Sequence, residues 1–355
     1  MCFDEETQTD NLKEEAQMRL YGGIDLHSNN NVIVILNEKD ETVYKKKHNN
    51  DLLEILPCLL PFREQLQGLV VESTYNWYWL VDGLKEAGFQ VHLANTAAIK
   101  QYEGLKYTDD QSDAHWLAHI LRLGVLPEGY IYPKEERSVR DLLRKRSQLV
   151  RQKTANVLSI QNLFTRNTGE GIQLKEIKKL TEEGLLERFG DASLSLAIES
   201  SRVVFRCLEK QVKLLERTIL GQVKLREEFI QLKTVDGIGD ILALTIMLET
   251  GDIRRFAKPG NFASYCRCVG SKKISNGKRK GKGNAKNGNK YLAWAFVEAA
   301  TFAVRHSEKI KRFYQRKKDK TNGMIAIKAV AHKLARACFH ILRDQVEFDV
   351  AKAFG

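Results

Sequence analysis

The sequence predicts an α/β domain at the N-terminus, then a long helical arm, then a mostly helical C-terminal domain. Three observations carry this prediction. Short apolar runs alternate with helix-spaced segments up to about residue 137, long stretches rich in Lys, Arg, Glu and Gln follow, and a basic Gly/Asn segment interrupts the last third. The predicted boundaries are a flexible acidic tail at 1–20, the α/β domain at 21–137, the arm at 138–230 and the C-terminal domain at 231–355.

Three consecutive strands are predicted at the start of the α/β domain, where short apolar runs occur at residues 21–26, 31–36 and 42–47. The elements that follow are a helix over Asp51–Gln67, a strand ending at Glu72, a helix over Asn76–Ala87 and a strand over Phe89–Leu93. The order βββαβαβα is that of the RNase H-like (RuvC-like) fold, whose central first strand carries an acid. Here that acid is Asp25.

Four carboxylates fall where such a nuclease core would place them. Asp25 and Glu72 each close a buried strand, and Asp110 and Asp113 begin a helix. A spacing of three puts Asp110 and Asp113 on one helix face. Hard oxygen ligands suit Mg²⁺ (or Mn²⁺) that also keeps water and phosphate. These four residues are therefore the predicted metal ligands and catalytic acids for cutting or rejoining a nucleic-acid backbone.

The arm is predicted from two long helical stretches, Asp141–Phe164 and Glu199–Leu232, separated by a break at Asn167–Gly171. In the second stretch apolar residues recur at spacings of three and four, at Val204, Leu208, Val212, Leu215, Ile219 and Val223. This spacing favours a two-helix, coiled-coil-like arm. An ordinary helical bundle packed on the first domain is the alternative.

The segment Val235–Gly239 resembles a helix-hairpin-helix turn. Backbone N–H groups beside Gly237 and Gly239 would then hold a phosphate at a helix N-terminus. A glycine turn needed only for tight helix packing explains the same residues.

Charge is concentrated in the C-terminal third. Residues 231–355 hold 26 Lys/Arg against 10 Asp/Glu, within a chain whose formal net charge is +12. A polyanionic partner is the first explanation for such an excess.

The sharpest change in composition lies at Ser271–Lys290, which has eight Lys/Arg and no acid. Such a segment cannot bury a core, so it should be mobile alone and ordered beside phosphates. The predicted nucleic-acid-binding residues here are Lys272, Lys273, Lys278, Arg279, Lys280, Lys282, Lys286 and Lys290. A solvated basic loop is the alternative.

A second basic run, Lys309–Lys320, is predicted to be a helix that either contacts a nucleic-acid backbone or merely aids solubility.

The six cysteines have no paired spacing, and no signal peptide precedes them, so reduced, cytosolic thiols are expected. Metal ligation by Cys266 and Cys268 is disfavoured because no second Cys/His pair has finger-like spacing. No run of about 18 apolar residues exists, so no membrane span is expected.

Together these segments resemble the DEDD-type insertion-sequence transposases of the IS110 and IS1111 groups. The motifs that carry the resemblance are Gly23–His27 with Val71–Thr74, Asp110–Ala114, and a C-terminal block from Val235 to Ala300 that includes Ser275-Asn-Gly277. The similarity extends from about Tyr21 to Ala337.

The resemblance implies a DNA transposase and recombinase that excises and inserts its own insertion sequence. Family members pair a RuvC-like acidic domain with a C-terminal transposase domain that bears a serine nucleophile. A noncoding RNA encoded by the element guides the choice of donor and target DNA duplexes. Strand exchange on two duplexes needs several active sites, so a homo-oligomer, dimer or tetramer, is expected, with the arm as its dimerisation element. In the family, the acids and the serine can meet across subunits. The resemblance also implies a prokaryotic cytoplasm, with nucleoid association when DNA is bound.

By motif position the nucleophile is Ser275, with Ser271 as its rival and an ordinary loop serine as the alternative for both. Such a hydroxyl needs activation by a base or metal. The family pattern reads Thr-Asp, two residues, Asp-Ala, whereas this chain has one residue more between Thr108 and Asp113. Matching from the threonine selects Asp109, but helical spacing of three selects Asp110, which leaves Asp109 as a helix N-cap.

Two other functions remain open. A metal-dependent, structure-selective nuclease resembling a Holliday-junction resolvase would use the acids alone and leave Ser275 incidental. A non-catalytic nucleic-acid-binding scaffold is less favoured, because a scaffold has no need of a buried cluster of like charges. RNA binding rests on the resemblance alone, since no RRM, KH or zinc-finger pattern is present.

Overall fold

The computed structural model describes residues 18–99, 110–270, 272–282 and 287–355. The chain divides into two compact units, with the boundary between Lys134 and Glu135. The first unit is a mixed sheet with helices and the second is mostly helical, which confirms the predicted α/β-then-helical layout. Within the described residues, no helix is both long and apolar enough to cross a membrane.

A six-stranded sheet with the order β3-β2-β1-β4-β5-β6 organises the first unit. The strands are β1 Leu20–Leu26, β2 Asn30–Leu36, β3 Thr42–Asn49, β4 Leu66–Glu72, β5 Val91–Ala94 and β6 Glu128–Gly129. Strands β1, β2 and β3 pair antiparallel, β1, β4 and β5 pair parallel, and β6 is antiparallel to β5. Since β1 and β4 are parallel neighbours, their carboxyl ends lie at the same edge of the sheet.

Helices cover both faces of this sheet. They are α1 Leu52–Leu59, α2 Tyr78–Glu86 and α3 Asp110–Arg122. Helices α1 and α2 pack with the side chains of one sheet face, which include Ile24 and Val71. Helix α3 packs on the other face, against alternate residues of the strands such as Val32 and Val70. Because side chains alternate along a strand, Asp25 and Glu72 face α3.

Gly23 allows α3 to approach β1 closely. A Cβ atom added at Gly23 would lie 2.0 Å from the carbonyl oxygen of Ala114 and 2.7 Å from the amide nitrogen of Ala118. Small residues therefore meet on both sides of the contact: glycine on the strand, and two fully buried alanines on the helix. This packing brings the first turn of α3 over the end of β1.

The second unit begins with an arm of two long helices. These are α4 Lys134–Thr168 and α7 Ala192–Val223, linked by short helices α5 Leu174–Ile177 and α6 Glu182–Phe189. Leu143 shares a core with Ile219, whereas Phe164 shares one with Ile198, so the two long helices run antiparallel. The predicted apolar series is wrong at Val204, which is exposed; Phe205 is buried in its place.

The remaining helices form one core with the base of the arm. They are α8 Glu227–Leu232, α9 Asp240–Thr250, α10 Pro259–Tyr265, α11 Lys290–His306, α12 Glu308–Lys320, α13 Gly323–Asp344 and α14 Val350–Phe354. A two-stranded hairpin, β7 Lys272–Ser275 and β8 Lys278–Lys282, leads into α11. We call this pair of strands the basic hairpin.

Three predicted elements differ from the structure. The helix expected to reach Gln67 ends at Leu59, because Leu60–Phe62 forms a 3₁₀ turn with Pro61 near its start and β4 begins at Leu66. The long helix expected to reach Leu232 stops at Val223 and a separate helix follows. The basic Gly/Asn segment, expected to lack structure of its own, contains the basic hairpin.

Candidate functional site

Asp25 and Glu72 lie at the carboxyl ends of neighbouring parallel strands. Ile24 pairs with Val71, so the next residue on each strand is one of these two acids. Asp25 is only 3% exposed, and Glu72 is half-buried. Two carboxyl groups, both negative when ionised, are therefore held close together in surroundings that exclude most water.

Helix α3 brings two further acids to this edge. It begins at Asp110, and Asp113 follows one turn later. A cavity of about 210 Å³ is lined by Asp25, Glu72, Thr96, Ile99, Asp113, Trp116 and Leu117. The structure thus brings three of the four predicted acids to a single cavity. The fourth, Asp110, lies close to a histidine that is also close to Asp25.

That histidine is His27, which the sequence prediction did not assign. Its Nε2 atom lies 3.1 Å from Oδ2 of Asp25 and 3.3 Å from Oδ2 of Asp110. The nitrogen is buried, and among the described residues it forms no hydrogen bond. We refer to His27 and the four acids as the acidic cluster.

Main-chain contacts fix the position of His27. Its carbonyl oxygen accepts hydrogen bonds from Nδ2 of Asn50 at 3.0 Å and from Nδ2 of Asn76 at 2.9 Å. The hydroxyl of Thr74 in turn donates to Oδ1 of Asn76 at 2.9 Å. The residue after β1 is therefore held by side chains that follow β3 and β4.

The electrostatics of the cluster favour a cation. Burial, a hydrogen bond with Asp25, and the charges of Asp25 and Asp113 raise the pKa of Glu72 to about 8. Ligand atoms of Asp25, His27 and Asp110 all lie within 4.8 Å of one another, close enough to hold one metal ion. An unbonded buried nitrogen between two carboxylates, beside a carboxyl that retains its proton, fits a divalent cation.

Ser275 lies in the second unit, at the end of β7. It pairs with Lys278 across a two-residue turn. Asn276 and Gly277 in that turn have φ values of +48° and +69°, which is the geometry of a type I′ hairpin turn. Ser275 therefore sits next to a tight turn. The rival residue Ser271, the alternative acid Asp109, and Lys286 lie outside the described residues.

The end of the basic segment is held firmly against the helical core. Gly288 has φ +86°, and a Cβ there would lie 2.5 Å from the carbonyl oxygen of Tyr265. The amide of Asn289 donates to that same oxygen at 2.7 Å. The side chain of Asn289 caps α11 by accepting from the amides of Tyr291 and Leu292. Lys290, predicted to bind nucleic acid, is the first residue of that helix.

A buried ion cluster joins Asn289 to the arm. Its centre is Glu249, which is fully buried and accepts from Nδ2 of Asn289 at 2.8 Å. Nε of Arg144 donates to Glu249 at 2.7 Å, and Nε of Arg140 donates at 3.3 Å. Although burial opposes ionisation, these arginines and Asn289 hold the pKa of Glu249 below its ordinary value of 4.5.

The two glycines of the predicted phosphate turn differ. Gly237 has φ +90°, and a Cβ there would lie 2.5 Å from the amide nitrogen of Ala303 and 2.6 Å from the carbonyl oxygen of Ala299. Tight packing against α11 thus explains Gly237 without a ligand. Gly239 precedes α9 with no side-chain cap and open space around its Cα.

Two cysteines considered as metal ligands are buried. Burial raises the pKa of Cys266 well above its ordinary value and that of Cys268 to about 12.

Comparison with known proteins gives two family matches. A DEDD-type transposase model of the IS110 kind matches residues 22–167, and the model "Transposase IS116/IS110/IS902 family" matches residues 231–315. The chain is also similar to the transposase for insertion sequence element IS1111A from Coxiella burnetii (strain RSA 493 / Nine Mile phase I), with 22% identity over 238 residues. That alignment covers 65% of this chain and 63% of the relative, less than two thirds of the relative's length.

Proposed function

Because this chain belongs to the IS110 family of transposases, we propose that it cuts and rejoins DNA strands to excise and insert its own insertion sequence. The observation that carries the proposal is the acidic cluster, which lies within the part matched by the DEDD-type model. A buried group of like charges with a raised Glu72 pKa is unfavourable unless it has a use. This also argues against a non-catalytic scaffold.

The first unit is proposed to be an RNase H-like (RuvC-like) nuclease core. Three antiparallel strands followed by two parallel strands, with the acid-bearing β1 inside the sheet, support this assignment. Asp25, Glu72, Asp110 and Asp113 are the proposed metal ligands, and His27 is added to them by its position. A bound Mg²⁺ or Mn²⁺ would supply charge neutralisation at the scissile phosphate.

Ser275 is the proposed nucleophile. Its Oγ attacks a backbone phosphorus, the P–O bond to one deoxyribose breaks, and that sugar oxygen takes up a proton as the serine loses one. A phosphoserine link keeps the energy of the broken bond. A deoxyribose hydroxyl then attacks the phosphoserine and releases the serine in its original form. Lys278, across the hairpin from Ser275, together with Arg279 and Lys280, would stabilise the charge on the attacked phosphate.

The remaining basic residues of this segment are proposed to hold the DNA backbone. They are Lys272, Lys273, Lys282, Lys286 and Lys290, with the free amides near Gly239 as an additional phosphate contact. Guidance by an element-encoded noncoding RNA is proposed from the family resemblance, and the basic C-terminal third is compatible with it.

A homo-oligomer, dimer or tetramer, is proposed because strand exchange needs more than one active site. The acids lie in the first unit and Ser275 in the second, so the reaction requires both units to reach one phosphate, within or between chains. Exposed apolar residues along α7, namely Leu196, Val203 and Leu214, support the arm as the dimerisation element.

A metal-dependent nuclease without serine chemistry is the second candidate. It is favoured by one observation: the cavity between the acids is lined entirely by residues of the first unit. In that case Ser275 would take no part.

Trapping of a covalent protein–DNA adduct on a nicked duplex separates the two candidates. The recombinase predicts an adduct with the intact protein, its loss in Ser275→Ala, and its loss in Asp25→Ala. Ser271→Ala serves as the matched control and should keep the adduct. Strand cleavage that persists in Ser275→Ala would reject the serine mechanism and leave the nuclease.

A further inference from the structure

Helix α12 carries an unusual excess of positive charge. Its thirteen residues include seven Lys/Arg and two acids, and all seven basic side chains are exposed. The acids are already engaged: Glu308 pairs with Lys311 at 3.1 Å, and Asp319 accepts from Nε2 of Gln315 at 2.7 Å. The positive charge is therefore not balanced within the helix.

Four of these basic residues form one row. At 3.6 residues per turn, Lys309, Arg312, Arg316 and Lys320 recur at steps of three and four, so they lie along one face. The row is about 17 Å long at 1.5 Å per residue. Ile310 is buried on another side of the helix. We call these four residues the basic row.

Like charges at a spacing of four, as in Arg312 with Arg316, destabilise a helix. Within the described residues, Arg312, Arg316 and Lys320 have no ion-pair partner. The positive charge of Lys309 helps to lower the pKa of Asp349. Some basic residues of the arm pair with acids, as in Lys178 with Glu209 at 2.7 Å and Arg146 with Glu216 at 2.7 Å.

We propose that the basic row binds the sugar-phosphate backbone of duplex DNA without reading its sequence. Charge complementarity carries the argument, because a polyanion relieves the repulsion within the row. Single-strand binding platforms use exposed aromatic rings, whereas Phe313 and Tyr314 of this helix are half-buried against the core. The choice of DNA rests on the proposed function; the charge argument does not.

The test is the salt dependence of binding to a random-sequence DNA duplex about 30 base pairs long, followed by fluorescence anisotropy of the full-length protein. The variant replaces all four residues with alanine: Lys309→Ala, Arg312→Ala, Arg316→Ala and Lys320→Ala. Each phosphate contact contributes about 0.9 to the slope of log K against log salt, so four contacts contribute about 3.6. Between about 50 and about 200 mM salt, the affinity of the intact protein should fall about a hundredfold more than that of the variant.

Two controls make the result specific. Alanine is the best helix former, so circular dichroism should show a folded variant, and Arg312→Lys with Arg316→Lys should retain the original slope because charge is kept. The matched variant removes four exposed basic residues from the arm: Lys210, Lys213, Arg217 and Lys224. It should change the slope by less than about one.

An unchanged slope in the row variant overturns the proposal, as does an equal loss in the arm variant. Tighter binding to an RNA duplex of the same length, with the same loss in the row variant, would overturn the choice of DNA. The assay measures binding alone. A protein that shows the expected slope change but forms no serine adduct would refute the proposed chemistry and leave the basic row supported.

Discussion

Replacing Gly23 with alanine should push α3 away from β1 and pull the acidic cluster apart. The new Cβ would lie 2.0 Å from the carbonyl oxygen of Ala114, whereas ordinary contact begins at 3.4 Å. The helix must therefore retreat by about 1.4 Å at this point. The obstructing atoms belong to the backbone of α3, so no side-chain rotation can relieve the clash.

Overpacking of this kind destabilises a core by about 1–3 kcal/mol, and we expect the upper part of that range because rigid backbone meets rigid backbone. Since Asp113 belongs to α3, moving this helix by more than about 1 Å should also lower the rate of strand cleavage by about a hundredfold. Urea unfolding followed by tryptophan fluorescence measures the first effect. Titration calorimetry with Mn²⁺ tests whether the metal site is disrupted.

Gly171→Ala is the matched control, since it has a normal φ and open space around its Cα, and it should leave both measurements unchanged. For Gly23→Ala, a free energy of unfolding within about 0.5 kcal/mol of that of the original protein, together with equal affinity for Mn²⁺, would refute this reasoning. In that case, the close approach of α3 is not what brings the acids together.

Three further predictions follow from the structure. His27→Ala should weaken Mn²⁺ binding at least about tenfold in calorimetry; unchanged affinity would remove His27 from the ligands. Glu249→Gln should lower the free energy of unfolding at neutral pH by about 3 kcal/mol, because buried Arg140 and partly buried Arg144 lose the charge of Glu249. Since the folded pKa of Glu249 is below 4.5, its stabilisation is present above that pH and is lost as pH falls further. Urea unfolding between pH 4.5 and about pH 3 should therefore be less pH-dependent in the variant, and equal slopes would contradict the ion cluster. Gly277→Ala, at φ +69°, should strain the hairpin turn by about 1 kcal/mol and slow adduct formation while DNA binding is retained; an unchanged adduct rate would show that the turn does not position Ser275.

Local patterns in the sequence were enough to predict five of the six strands and to single out the four acids as candidates. Asp25 and Glu72 end apolar runs whose length and composition indicate buried strands, and parallel neighbours bring such ends together. Asp110 and Asp113 follow from helical spacing, and both lie on α3.

Other features depend on contacts that no local pattern encodes. Glu249 meets Arg140 and Arg144 more than a hundred positions away in the chain. His27 lies two residues beyond Asp25, inside the Gly23–His27 motif, but spacing along the chain does not show that its ring lies close to both Asp25 and Asp110. The basic hairpin could have been found, because Asn276-Gly277 is a strong two-residue turn signal, but the surrounding Lys, Gly and Asn composition is typical of disorder.

The sheet of the first unit also limits how copies of this protein can associate. Its outer strands are β3 and β6, and an unpaired edge is a template for strand addition by another molecule. Three consecutive exposed lysines, Lys45 to Lys47, occupy β3, while β6 is only two residues long. Repulsion at one edge and shortness at the other disfavour a sheet shared between chains, so the proposed oligomer would have to form through other surfaces.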